Sequence, residues 1–174
     1  MAFSHLFVST LVVIFTASAR VQACSPDFQG RDITISNGYG GEWTLSGSAS
    51  GSAISTQNPQ NVDNSSGEFR VEQDGSWPAA YIIKPLNVPG DIVAVSTASG
   101  QAHLETLITN DSSQKYIIEC YSCSANGANA EGCRIISKAT NNCLSSLGPG
   151  ENIGTFVCHP RSSGQFWRFI AAPI

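Results

Sequence analysis

The chain has 174 residues, with 13 acidic side chains against 9 basic ones and a formal net charge of −4. No cluster of Lys or Arg and no alternation of Arg with aromatics occurs, which argues against nucleic acid and against an anionic membrane surface as partners. The length fits one domain with a sizeable core.

The chain runs largely apolar from Leu6 through Ala17, and Val21-Gln22-Ala23 offers a cleavage site before Cys24. This reads as a secretory signal peptide over 1–23, followed by a single domain over 24–174. Loss of Arg20 with the leader makes the net charge −5. The apolar run is shorter than the roughly 18 residues a membrane span needs, so a secreted, extracellular protein with no membrane insertion is expected.

Helical periodicity is nearly absent. Short apolar, β-branched and aromatic runs are expected as strands. In chain order they are Asp32–Ser36, Trp43–Leu45, Phe69–Val71, Tyr81–Ile83, Ile92–Val95, Leu104–Ile108, Tyr116–Ile118, Arg134–Ile136, Gly154–Val157 and Phe166–Phe169. Turn signals separate them, among them Asn37-Gly38, Asp74-Gly75, Pro89-Gly90-Asp91, Asn126-Gly127 and Pro149-Gly150. Many short strands at this spacing indicate an all-β barrel or sandwich. The stretch Ser46–Asn64 is polar apart from Ile54, and reads as a loop or a poor surface strand.

A local pattern occurs three times: Ser65-Ser66-Gly67-Glu68-Phe69, Ser112-Ser113-Gln114-Lys115-Tyr116 and Ser162-Ser163-Gly164-Gln165-Phe166-Trp167. The aromatics Phe69, Tyr116 and Trp167 are 47 and 51 residues apart. Ile35, Ile83 and Ile136 precede them by 34, 33 and 31 residues. A period of this length is the mark of a copied supersecondary unit. Three units over about 28–76, 77–124 and 130–174 are expected, with the three aromatics in a shared core.

All six cysteines follow the leader, which argues for disulfides in an oxidising compartment. Cys143 and Cys158 flank a hairpin and are expected to pair. One of Cys120 and Cys123 should close onto Cys133 across the turn Ser124–Asn129, leaving the other for Cys24. A zinc knuckle at Cys120-x-x-Cys123 would need a second ligand pair, so neither metal nor cofactor is expected. Asn64-Ser65-Ser66 and Asn110-Asp111-Ser112 match the N-glycosylation acceptor pattern and should lie in surface loops.

The run Cys133-Arg134-Ile135-Ile136-Ser137, Asn142-Cys143-Leu144, Phe156-Val157-Cys158 and Gly164-Gln165-Phe166-Trp167 resembles one repeat of the ricin B-type lectins. The resemblance is moderate in the second unit and weak in the first, where Gly67 and Phe69 replace the glutamine and tryptophan. It implies a disulfide-stabilised β-trefoil of three roughly 45–50-residue repeats, in which a six-stranded barrel is capped by three hairpins. It also implies glycans or glycoproteins as partners. A galactose-binding unit of that family places an aspartate soon after Cys-Leu, an aromatic platform before the second cysteine, and a glutamine. Here these positions are Ser145, Phe156 and Gln165, so the carboxylate is replaced and the sugar site is partly degenerate. Asp91, Tyr39 and Trp43 are weaker candidates in the other units.

No catalytic constellation is evident. His103 and His159 have no metal spacing, and Glu68, Glu72 and Asp74 read as a solvated strand edge. The expected function is a secreted, non-enzymatic, lectin-like protein. The alternative is a protein-interaction module on the same scaffold, such as a protease inhibitor or host-directed effector. It would act through the loop Ser46–Asn64 or the Cys120–Cys133 turn.

Overall fold

The computed structural model describes residues 23–61, 67–88, 92–96 and 100–172. The expected leader, the acceptor Asn64 and the candidate Asp91 lie outside the described residues.

The strands are β1 (Asp32–Asn37), β2 (Glu42–Leu45), β3 (Ile54–Gln57), β4 (Phe69–Gln73), β5 (Tyr81–Pro85), β6 (Ile92–Ser96), β7 (Ala102–Thr106), β8 (Tyr116–Glu119), β9 (Ser122–Cys123), β10 (Asn129–Ser137), β11 (Cys143–Ser145), β12 (Gly154–Phe156) and β13 (Trp167–Ala171). Each of β1, β4, β5, β8, β10 and β13 is antiparallel to two others of the set, and β13 returns to β1. The result is a closed six-stranded barrel. Closure leaves no free sheet edge in the barrel wall.

The remaining long pairs are three hairpins: β2–β3, β6–β7 and β11–β12. Isolated bridges join them into a ring, through Ala53 with His103, Ser55 with Asn152, and Gln101 with Gly154.

The barrel strands alternate as their sequences require. Ile33 and Ile35 of β1, Tyr81 and Ile83 of β5, and Cys133 and Ile135 of β10 all face the core. The pairing register is the same at three places. Phe69 sits between Ile33 and Pro85. Tyr116 sits between Tyr81 and Ser137. Trp167 sits between Cys133 and Asn37. All three aromatics are buried in one core, as expected. Trp43 fills the space between two of them, edge-on to Phe69 at 5.6 Å and to Trp167 at 5.4 Å.

Two expectations need correction. The landmark in the third opening strand is Ile135: Ile136 lies one residue out of phase and is half-buried. Cys133 pairs with Trp167 as Ile33 pairs with Phe69 and Tyr81 with Tyr116, which makes Ile135 the counterpart of Ile35 and Ile83. The polar stretch after β2 is neither a loop throughout nor a surface strand. It contains β3, in which Ile54, Ser55 and Thr56 are all buried. Thr56 belongs inside because its hydroxyl meets that of Ser146 at 2.7 Å and donates toward the Gly148 carbonyl, while its N–H donates to Glu151 O at 2.9 Å. A buried hydroxyl with these partners costs little.

The disulfides are Cys24–Cys123, Cys120–Cys133 and Cys143–Cys158. They resolve the choice left open for Cys120 and Cys123. Such bonds persist in oxidising compartments, consistent with an extracellular protein.

Candidate functional site

The third hairpin brings Ser145, Phe156 and Gln165 into one neighbourhood. Ser145 on β11 pairs with Gly154 of β12, two residues before Phe156. Gln165 ends a short 3-10 turn, Ser163–Gln165, that delivers the chain into β13. Its amide oxygen accepts from His159 N at 2.7 Å, and its amide nitrogen donates to Val157 O at 3.0 Å. The glutamine thus clamps the loop that follows Phe156. Gln114 does the same in the second corner, accepting from Ile108 N at 2.7 Å and donating to Thr106 O at 2.8 Å. A side chain that carries both donor and acceptor is what such a brace requires.

Burial divides the three residues. Ser145 and Gln165 are covered, whereas Phe156 is 54% exposed. Gly164 leaves no room beside Ser145: a Cβ there would strike the Ser146 carbonyl and lie 3.2 Å from Ser145 Oγ. The Phe156 ring lies over Gly154, where a Cβ would come within 2.8 Å of it. The third hairpin therefore presents an aromatic face, held by the Cys143–Cys158 bridge behind it and the Gln165 brace beyond it.

The other sequence candidates separate. Trp43 is core and Tyr39 is half-exposed on the turn after β1. Asn37 shapes that turn by accepting from Tyr39 N and Gly41 N, each at 3.0 Å. Asn110 lies exposed in a turn, as an acceptor asparagine must. The acidic group is an ion-paired edge: Glu72 meets Lys84 at 2.9 Å and Asp74 meets Lys115 at 2.9 Å. No group of three His, Cys, Asp or Glu side chains among the described residues could hold a metal ion. No helix among them is long and apolar enough to cross a membrane.

Two features were not singled out by sequence. Trp77 is 95% exposed at the turn between β4 and β5. That turn is locked by Asp74, which accepts from Ser76 N at 2.9 Å and from Ser76 Oγ at 2.5 Å. Desolvation alone would raise the Asp74 carboxyl, but the Ser76 and Lys115 hydrogen bonds and the Lys115 charge outweigh it. They hold it well below the usual carboxylate range. The second feature lies on the barrel wall, where Phe166 stacks with Tyr121 at 5.8 Å and carries the Arg134 guanidinium 5.1 Å from its ring centre. The turn signal Asp74-Gly75 marked the turn of the first, though not its tryptophan. Nothing in the spacing marked Phe166 beyond its place between Gln165 and Trp167.

No family model and no curated protein matches the sequence. Solved structures do match its fold. A mosquitocidal holotoxin aligns with a TM-score of 0.66 at 16% identity, over 83% of this chain and 18% of that one. The lectin of Polyporus squamosus, solved with the human-type influenza-binding epitope Neu5Aca2-6Galb1-4GlcNAc, aligns at 0.58 and 20% identity, over 82% of this chain and 50% of the lectin. The designed 3-fold symmetric protein ThreeFoil aligns at 0.61 and 9% identity, over 81% of this chain and 99% of the design. The chain thus spans about a fifth of the holotoxin and half of the lectin. At these identities the likeness is one of fold: an all-β barrel with added hairpins, of the β-trefoil kind found in ricin B-like lectins.

Proposed function

We propose that this protein is a secreted, non-catalytic, carbohydrate-binding β-trefoil built of three related units. The thrice-recurring register of Phe69, Tyr116 and Trp167 supports the three-unit reading. The observation that carries the function is Phe156, a half-exposed ring on a hairpin fixed by a disulfide and a glutamine clamp. A rigid aromatic face is what the apolar side of a sugar ring stacks on, at little entropic cost to the protein. Ser145 in place of the family's carboxylate makes this a degenerate site, with fewer polar anchors and weaker, broader recognition.

The test is a glycan array with the mature domain. Binding that competes with free sugar and falls at least about tenfold in Phe156→Ala supports the reading. An array with no glycan signal sinks it.

A second reading, docking to a protein target, is favoured by Trp77. Tryptophan is enriched among residues that dominate interfaces, and a locked turn presents it ready-made. Inhibition of a secreted protease that disappears in Trp77→Ala would establish this reading. Absence of inhibition across a protease panel would remove protease inhibition from it.

A further inference from the structure

Two asparagines in the chain precede glycine, Asn37 and Asn126, and one aspartate does, Asp74. At such a bond the backbone nitrogen of the glycine can attack the side-chain carbonyl before it, because glycine has no side chain to hinder the approach. The two atoms must come into contact, so the fold decides which of the three bonds can react. Asn37 cannot react unless its turn opens. Its Oδ1 accepts from Tyr39 N and Gly41 N at 3.0 Å each, and its own N–H donates to Gly41 O at 2.9 Å. It is 7% exposed, and its Nδ2 is covered from the water that must protonate the departing ammonia. Asp74 is locked too. Its carboxylate accepts from Ser76 N and Ser76 Oγ and pairs with Lys115 at 2.9 Å.

Asn126 is placed differently. It is exposed on the turn between β9 and β10, where its Oδ1 accepts from Ala128 N at 3.2 Å. Gly127 takes φ +68°, and its N–H donates to Ser124 O at 3.1 Å. Breaking one bond in an exposed turn is a local opening of small cost. Gly127 also touches the segment that follows Cys24. A Cβ on it would lie 2.5 Å from Asp27 O and 3.2 Å from the Phe28 backbone. That segment packs on the core. Phe28 is buried and its ring lies 5.2 Å from that of Phe169. The Pro26 carbonyl accepts the Tyr81 hydroxyl at 2.7 Å, and Cys24 is bridged to Cys123 at the foot of the same turn.

We infer that Asn126 is a site of spontaneous deamidation, and that its product loosens the segment after Cys24. The Gly127 nitrogen, losing its proton to water, forms a bond to Asn126 Cγ. The Cγ–Nδ2 bond breaks, and ammonia leaves with a proton from water. Water then opens the five-membered succinimide. Opening at Cγ gives aspartate on the original backbone. Opening at the main-chain carbonyl gives isoaspartate, whose backbone runs through Cβ. The net change is asparagine plus water to a carboxylic acid plus ammonia, and nothing is oxidised or reduced. Isoaspartate puts an extra backbone carbon next to Gly127, where even a Cβ has no room. Asp27 and Phe28 must give way. The mark accumulates with the age of the molecule and is independent of the glycan reading.

The experiment ages the disulfide-bonded mature domain in ¹⁸O-labelled water at mildly alkaline pH, then reduces, alkylates and digests it for mass spectrometry. Label in the new carboxylate separates ageing from sample handling. A reduced, denatured sample gives the rate of both Asn-Gly bonds without the fold. The expected result is labelled aspartate and isoaspartate at Asn126. Asn37 should convert at least about tenfold more slowly than Asn126 in the folded protein, and at a similar rate in the denatured one. Hydrogen exchange over residues 24–31 should be at least about threefold faster in the isoaspartate fraction than in fresh protein. Asn126→Gln, checked for folding by its amide spectrum, should show neither label at that position nor faster exchange. Fresh Asn126→Asp carries the charge without the extra carbon and should exchange as fresh wild type does. Asn126 left unlabelled when the denatured chain is fully converted, or Asn37 converting as fast, overturns the site. Label without faster exchange, or equal loosening in fresh Asn126→Asp, overturns the coupling to the segment after Cys24.

Discussion

The third hairpin and the barrel wall beside β13 are adjacent in sequence and opposite in character. On the hairpin the polar side chains are saturated. Gln165 uses both ends of its amide on backbone, and Trp167 donates its indole N–H to Leu144 O at 3.0 Å. On the wall, Glu131 and Arg168 pair in the open at 3.1 Å, and Phe166 stacks with Tyr121 and carries the Arg134 guanidinium. Both regions display an aromatic ring. The contrast teaches that the residues most diagnostic of the fold are those least available to a ligand, because the fold has already used their hydrogen-bonding capacity.

Stability measurements can break this contrast, and the largest effect is expected at the hairpin. Replacing Cys143 and Cys158 together by serine frees a loop with a sequence separation of 15 and should cost about 3 kcal/mol in denaturant unfolding. Gln165→Ala strands His159 N–H and Val157 C=O and should cost about 2 kcal/mol. Gln114→Ala should cost a similar amount, since it makes the matching pair of bonds. A much smaller loss at Gln165 would mean that the third corner is held for binding rather than for structure.

The locked Trp77 turn should behave like the hairpin. Because the folded-state Asp74 carboxyl is held below its ordinary value, its contribution is fully present above about pH 4 and is lost as the pH falls below that. Asp74→Asn should cost about 1–2 kcal/mol at neutral pH and flatten the acid limb of the stability curve. The wall should show the least. Glu131→Gln and Arg168→Gln touch an exposed pair and should each change stability by less than about 0.5 kcal/mol. A loss above 1 kcal/mol there would recast the wall as structural.

Much of the barrel was legible in the residues, because alternation and the recurring aromatic both report which side of a strand is buried. Phe69, Tyr116 and Trp167 stand where their spacing put them, and Cys143 pairs with Cys158. What failed was whatever depends on a distant partner. Thr56 looks like a surface residue until the third hairpin supplies Ser146 and Glu151. Ile136 looks equivalent to Ile35 and Ile83 because it follows another isoleucine, and only the pairing of Cys133 with Trp167 sets the phase. Tyr39 and Trp43 are alike in sequence context, and only packing between Phe69 and Trp167 sends Trp43 inward. The site was less legible for the same reason. Ser145 and Gln165 are polar in sequence, and their burial is a property of the assembled hairpin. A hollow on the barrel wall brings together Gly38 and Gly132, nearly a hundred residues apart.

The seam between β1 and β13 gives the molecule a clock. Five residue pairs, from Ile33 with Ala171 to Asn37 with Trp167, join the first strand of the barrel to its last. Until the final strand has been made, β1 and β10 each lack one neighbour and Trp43 lacks the ring of Trp167. Closing so long a loop is slow, because its entropy must be lost before the contacts reward it. A chain that stalls short of Trp167 therefore exposes two unpaired strand edges at once, and the wall hollow that straddles this seam exists only in molecules that have finished.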